Sequence, residues 1–202
     1  MAFNIDNFKS LGLALGGARP SLFRVRLSFP TVVINKVAAE AESVFHVRAA
    51  QLPAATLGTV EVPYFGRKIK LAGDRTFTDW TVTIMNDEDF TIKNALEEWS
   101  NAINTLVSNR LNPAAAGNIG GTVGTYKTDI FVDQYAKDGP SDEQGIIRSY
   151  RFVGAFPTSI GAINLDWDTT NQIETFDATF AYDYWVPEPS GTPTYPFVLN
   201  PA

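Results

Sequence analysis

The chain has 202 residues, 45% of them hydrophobic and 12% aromatic, enough for one ample domain or two small ones with a substantial core. It contains no Cys, which excludes disulfides, thiolate nucleophiles and Cys-based zinc sites. Only 19% of residues are charged, which leaves much neutral surface for association. The net charge of −6 is unevenly placed: ten Lys/Arg against five Asp/Glu in residues 1–75, six against eleven in 76–151, and none against six in 152–202.

A chain that is basic early and acidic late argues against a nucleic-acid grip, which needs a basic surface to displace counterions. It is compatible with unlike surfaces meeting head-to-tail between copies, or with a fold that simply intermixes the charges. Met1–Arg19 lacks the basic start and apolar run of a signal peptide, and no stretch approaches the roughly 18 apolar residues of a membrane span. Synthesis and folding in a cytoplasm is the expectation.

In chain order, residues 1–20 carry Gly12, Gly16, Gly17 and Pro20 and read as a flexible arm. In Leu22–Phe29, Phe23, Val25, Leu27 and Phe29 alternate with Arg24, Arg26 and Ser28, the period of two of a half-buried strand. Val44–Ala50 reads as another strand, with Phe45 and Val47 opposite His46 and Arg48. Gly58–Phe65 and Arg67–Ala72 flank Gly66 like the arms of a hairpin. Trp80, Val82 and Ile84 then alternate with Thr81, Thr83 and Met85.

The period changes after Asn86. Ile92, Leu96, Trp99, Ile103 and Leu106 form one apolar stripe of an amphipathic helix over about 88–108. Asn86 or Asp87 can cap it, and Pro113 and Gly117 end it. Nothing suggests a second helix of this length. Gly117–Gly124 is a glycine-rich loop. Strands follow at Thr128–Tyr135 and Ile146–Phe152, Gly154 and Pro157 break the pattern, and Ile160–Trp167 is a short strand. Ile173–Trp185 is the longest strand, with Phe176, Ala178, Phe180, Tyr182 and Tyr184 on one face and Thr175, Asp177, Thr179 and Asp183 on the other. A Pro-rich extension, residues 186–202, closes the chain. The expected fold is mainly β, a sandwich or small barrel with one flanking helix.

No constellation for catalysis emerges. The single His, His46, sits in a strand-like run without a Gly-x-Ser-x-Gly elbow. Asp166-Trp-Asp168-Thr-Thr-Asn171 lacks the Gly and Glu of an EF-hand calcium loop and reads as a turn. Gly117–Gly124 lacks the Gly-Lys-Ser/Thr and the helix of a phosphate cradle. Asp74, Arg75 and Asp79 read as an ion pair holding a turn rather than an acid/base pair.

The run Arg67-Lys-Ile-Lys-Leu-Ala-Gly-Asp-Arg-Thr-Phe-Thr-Asp-Trp-Thr-Val-Thr-Ile-Met-Asn-Asp-Glu88 resembles the signature of tail tube proteins from contractile-tailed (myovirus-type) bacteriophages. Ala18-Arg-Pro-Ser-Leu-Phe-Arg-Val25, Leu52-Pro-Ala54, Tyr126-Lys127, Gln134-Tyr-Ala-Lys-Asp138, Pro157-Thr-Ser-Ile-Gly161, Leu165-Asp-Trp-Asp168, Asn171-Gln-Ile-Glu-Thr-Phe176 and Tyr182-Asp-Tyr-Trp185 resemble the same family in the same order. Residues 30–42, 108–125 and 186–202 depart from the pattern, which puts surface contacts in question rather than the core.

The resemblance implies a tail-tube-type β-sandwich or barrel over 21–185, after the 1–20 arm, that assembles into stacked hexameric rings. It implies no enzymatic activity and no cofactor. The tube would lie inside the contractile sheath of the virion after assembly in the host cytoplasm. Its implied partners are other copies of itself, the tail sheath protein, and baseplate and tail-terminator proteins. Tape measure protein and DNA would pass through the lumen without sequence-specific binding. Two related roles stay open: inner tube of a contractile injection or secretion system, and tube-initiating baseplate protein. Two surfaces follow as expectations: Lys68, Lys70, Asp74 and Arg75 for contact between subunits, and Thr175, Asp177, Thr179 and Asp183 for the lumen.

Overall fold

A computed structural model describes residues 5, 17–110, 126–137 and 145–188. Most of the N-terminal arm, the Gly117–Gly124 loop and the Pro-rich residues 189–202 lie outside the described residues. The fold is mainly β. Its elements in order are β1 (Phe23–Arg26), α1 (Lys36–His46), β2 (Val47–Ala50), β3 (Thr56–Tyr64), β4 (Arg67–Thr76), β5 (Trp80–Met85), α2 (Thr91–Ile103), β6 (Thr128–Tyr135), β7 (Ile146–Ile160), β8 (Thr175–Ala181) and β9 (Tyr184–Glu188).

Seven strands form one antiparallel sheet in the order β1-β6-β7-β8-β5-β2, with β9 also on β7; β3 and β4 form a sheet of their own. β7 joins the two halves. Its first part pairs with β6 and β9, and its last part pairs with β8. The pivot is Gly154, at φ +67, a left-handed conformation that side chains disfavour. A Cβ there would collide with the Asp183 carboxylate. Gly154 and Pro157 therefore do not end the strand, contrary to expectation. Pro157 is tolerated because, past Ala155, β7 pairs with β8 alone, at a register shift, so its missing N–H breaks no ladder on the other side.

The expected long strand Ile173–Trp185 is two strands, β8 and β9, laid end to end along β7. The break falls at Tyr182–Asp183, opposite Gly154, where Asp183 N–H still donates to the Val153 carbonyl at 3.0 Å. Residues 161–166, expected as strand, carry no strand structure.

The core follows the alternation read from sequence. Val25, Trp80, Val82, Ile84, Ile130, Val132, Phe152, Phe176, Ala178 and Phe180 are buried from the sheet, and α2 adds Ile92, Ala95, Leu96 and Trp99. Trp99 packs on Phe29 at 5.7 Å and on Phe180 at 6.1 Å between ring centroids, and its Nε1–H donates to the Tyr126 carbonyl at 2.8 Å. α2 is shorter than expected. It begins at Thr91, whose N–H donates to Asp87 Oδ1 at 3.3 Å, and ends at Ile103 because Asn104 is extended, ahead of Pro113. Leu106 is consequently exposed.

The helix α1 is a correction to the expected single helix, and it takes over Val44–His46, read as strand. Its Ala- and Glu-rich run favours helix, but its buried positions are the small Ala39 and Ser43, so no large apolar stripe marks it. Ser43 Oγ accepts from Leu27 N–H at 3.2 Å and Glu40 Oε1 accepts from Phe29 N–H at 2.9 Å. These side chains satisfy backbone donors just past the end of β1.

Candidate functional site

The most distinctive surface is the β3–β4 hairpin. Among the described residues its strands pair only with each other, and almost every residue of both is exposed. Because cross-strand partners share a face, the register sorts its side chains. Val60, Val62, Tyr64, Arg67, Ile69 and Leu71 line one face; Thr59, Glu61, Pro63, Lys68, Lys70 and Ala72 line the other. One side is thus an apolar strip capped by Arg67, and the other is polar. A sheet face of this kind exposed to water is unfavourable for a two-stranded unit unless something covers it.

The hairpin turns at Phe65 and Gly66, with φ +44 and +78, so both central residues are left-handed as a tight two-residue turn requires. Near its base, a bulge between Leu57 and Thr59 sets Gly58 against Gly73 and Asp74. A Cβ on Gly73 would lie 3.1 Å from the Gly58 carbonyl group, so the two backbones approach closely there.

Of the expected contact residues, Lys68 and Lys70 share the polar face, and Lys68 Nζ pairs with Glu61 at 2.7 Å. Asp74 and Arg75 lie beyond the bulge, and among the described residues neither forms an ion pair, so the expected turn-holding pair is absent. Asp79 instead lies beside Tyr182, whose hydroxyl is pushed up in pKa first by burial and then by that carboxylate.

Of the expected lumen residues, Thr175, Asp177 and Thr179 sit together on β8. Thr83 Oγ1 donates to Asp177 Oδ1 at 2.7 Å, and the Thr81 and Thr179 hydroxyls are 3.0 Å apart. With Thr81 and Thr83 of β5 they form a polar patch without Lys or Arg, bordered by Met85 opposite Thr175. Asp183 is not brought to it. It follows the end of β8 and accepts from Lys127 Nζ at 2.7 and 2.9 Å.

A polar cluster not anticipated from sequence lies on the half of the sheet formed by β1, β6 and β7. Asp133 is fully buried and accepts from Arg24, Arg26 and Ser149. Arg24 and Ser149 are its direct cross-strand partners. The only prior signal was Asp133 on an otherwise ordinary alternating strand, and alternation cannot say which polar residues end up paired.

The other chemical candidates resolve into local structure. His46 ends α1, with Nδ1 2.9 Å from the Glu42 carbonyl, rather than sitting mid-strand. Asp166 Oδ1 accepts from Asp168 N–H at 3.0 Å, and Asn171 is left-handed at φ +60, which is turn chemistry. Among the described residues no group of three His, Asp or Glu could hold a metal ion.

A family model described as phage tail tube protein matches residues 18–188. The chain is 36% identical over 170 residues to the tail tube protein gp19 of Enterobacteria phage T4, covering 83% of this chain and 90% of that protein. It is 25% identical over 179 residues to the tail tube protein of Serratia phage KSP90, covering 88% and 93%. Two solved structures share the fold. One is a chain of the PVC extracellular contractile injection system sheath–tube complex (TM-score 0.58, 16% identity, 93% and 99% covered). The other is the tube-terminating cap of the anti-feeding prophage (TM-score 0.59, 21% identity, 85% and 91% covered). The match spans the sheet, the hairpin and both helices, and the chain is a structural member of the phage tail tube protein family.

Proposed function

We propose that this chain is the repeating subunit of a phage tail tube, polymerising as stacked hexameric rings around a DNA-conducting lumen inside a contractile sheath. The observation that carries the reading is the free-standing β3–β4 hairpin, whose apolar strip of Val60, Val62, Tyr64, Ile69 and Leu71 is exposed among the described residues. Lys68, Lys70, Asp74 and Arg75 lie on the same arm and are the proposed polar part of the contact. The main sheet supports the same reading. It is open, with β1 at one end and β2 at the other, and pairing between copies would cover such edges.

The β5–β8 face is the proposed lumen wall. Thr81, Thr83, Thr175, Asp177 and Thr179 offer no cation to DNA phosphates, so moving DNA would not be held. A bore shown to be strongly basic would overturn this assignment. The tail sheath protein, baseplate and tail-terminator proteins are the proposed partners, with tape measure protein and DNA as passengers. The site is the virion tail after assembly in the host cytoplasm. The 36% identity to a phage protein, against 16–21% to the injection-system chains, favours the phage role over an injection-system tube.

Electron microscopy of purified protein, alone and with primed tail bases, tests the proposal. Hollow rods or six-fold rings are expected. Protein that stays monomeric even on a primed base would defeat it.

A further inference from the structure

We infer that the tip of the hairpin docks into a specific cleft on a second copy of the chain, the one between the C-terminal end of α1 and the start of α2. This deepens the proposed subunit contact and rests on it.

The cleft has a volume of about 560 Å³. That lies within the roughly 300–1,000 Å³ of sites that enclose a small ligand, so it has room for a two-residue aromatic tip. Its apolar lining is Met85, Phe90 and Ile173, and Ile173 is largely exposed. Its acidic lining is Asp87, Glu88 and Glu174. Asp87 and Glu174 are partly engaged, by Thr91 N–H and Asn86 Nδ2, but Glu88 forms no ion pair among the described residues. The basic residue in the lining, His46, is turned to its own helix, with Nδ1 2.9 Å from the Glu42 carbonyl. The cleft therefore calls for an occupant that is aromatic and cationic together.

The hairpin tip has that chemistry. Tyr64 and Phe65 stack edge to face at 4.6 Å, and Phe65 is 90% exposed. Arg67, Lys68 and Lys70 follow directly, against the single acid Glu61. Charge complementarity thus selects the hairpin of another copy, and since tip and cleft are different patches, the contact propagates rather than closing on itself as a two-fold dimer.

Backbone strain marks both partners. Phe65 in the tip and Phe90 in the cleft are left-handed, at φ +44 and +55. Bulky residues rarely adopt that region. The two-residue turn sets this backbone at Phe65, but Asn would be far more at ease in it, and among the described residues only the Tyr64 ring stacks on the aromatic side chain held there. Docking accounts for it.

The chain is free of Cys, which allows a direct test. A variant carrying both Arg67→Cys and Gln172→Cys, which keeps Phe65 and the apolar lining of the cleft, oxidised after polymerisation, is expected to give a ladder of covalent multimers that collapses on reduction. Either single variant should give dimers at most. Phe65→Asn should leave thermal stability equal or higher while rod yield falls at least tenfold; a purely structural tip would lose neither. Lys70→Glu and Glu88→Lys should each cut rod yield, and the two together should restore it. Wild-type rods accompanied by no ladder and no rescue would overturn the cleft assignment alone. Wild-type protein that forms no rods or rings would remove the subunit reading and this inference with it.

Discussion

Replacing Asp133 removes the one fully buried carboxylate among the described residues, and its cost can be worked from its contacts. Oδ2 accepts from Arg24 Nε and Nη2 at 3.3 and 3.0 Å and from Arg26 Nε at 3.1 Å. Oδ1 accepts from Ser149 Oγ at 2.6 Å and Arg26 Nη2 at 3.4 Å. In Asp133→Ala the Ser149 hydroxyl, itself nearly buried, loses its acceptor, at about 1 kcal/mol. A hydrogen bond to a charged group is worth roughly 1.5–3 kcal/mol. The arginine side chains are 22% and 38% exposed, so water replaces part of what they lose. Discounted for that screening, each costs about 1 kcal/mol. The expected loss is about 3 kcal/mol, or a fall in Tm of about 6–12 °C for a domain of this size. Asp133→Asn keeps one acceptor oxygen and should cost less than half as much. Urea unfolding of unassembled protein, followed by tryptophan fluorescence and far-UV circular dichroism, measures both. A loss below about 1 kcal/mol for the alanine variant would mean that this network does not hold β1 and β7 to β6, and the burial argument would be wrong.

Gly154→Ala should destabilise by about 2 kcal/mol, through a left-handed alanine and the displaced Asp183 carboxylate with its Lys127 pair, and a crystal structure should show the β7 pivot shifted. Tyr182 should ionise above the ordinary 10.0, so its stabilising effect is complete below that pH and is lost as pH rises through the raised value. Asp79→Asn should recover only the smaller part of the shift, since burial is the larger cause; ultraviolet titration of the tyrosines reads this directly. Lys70→Glu or Arg75→Glu should impair polymerisation with the monomer melting within about 0.5 kcal/mol of wild type, because both side chains are exposed. Sedimentation separates the polymer from the subunit, and normal tubes from both variants would count against the hairpin contact.

Alternation and helical spacing are local properties, so they mark much of the core without any tertiary information. Val25, Val82, Ile84, Phe176 and Phe180 on strands, and Ile92, Leu96 and Trp99 on α2, are buried as their periods require. The hairpin and its turn were legible for the same reason, since Phe65-Gly66 separates two extended runs. Helix α1 was not, because its buried side is Ala39 and Ser43, too small to leave a periodic apolar trace. The extent of β7 was misread because Gly and Pro usually interrupt strands. Gly154 is instead the pivot between two halves of a sheet, and Pro157 lies where β7 has a partner on one side only.

What the sequence by itself determined is most of the core on the strands and on α2, and which segments pair locally. Tertiary structure alone decided the partnerships. Asp133 meets Arg24 and Arg26 across more than a hundred residues, Asp183 turns to Lys127 instead of joining Asp177, and the hairpin stands clear of its own sheet. Those outcomes depend on which surfaces compete for burial once the chain has closed on itself, and a linear pattern records each residue's preference but not its rival.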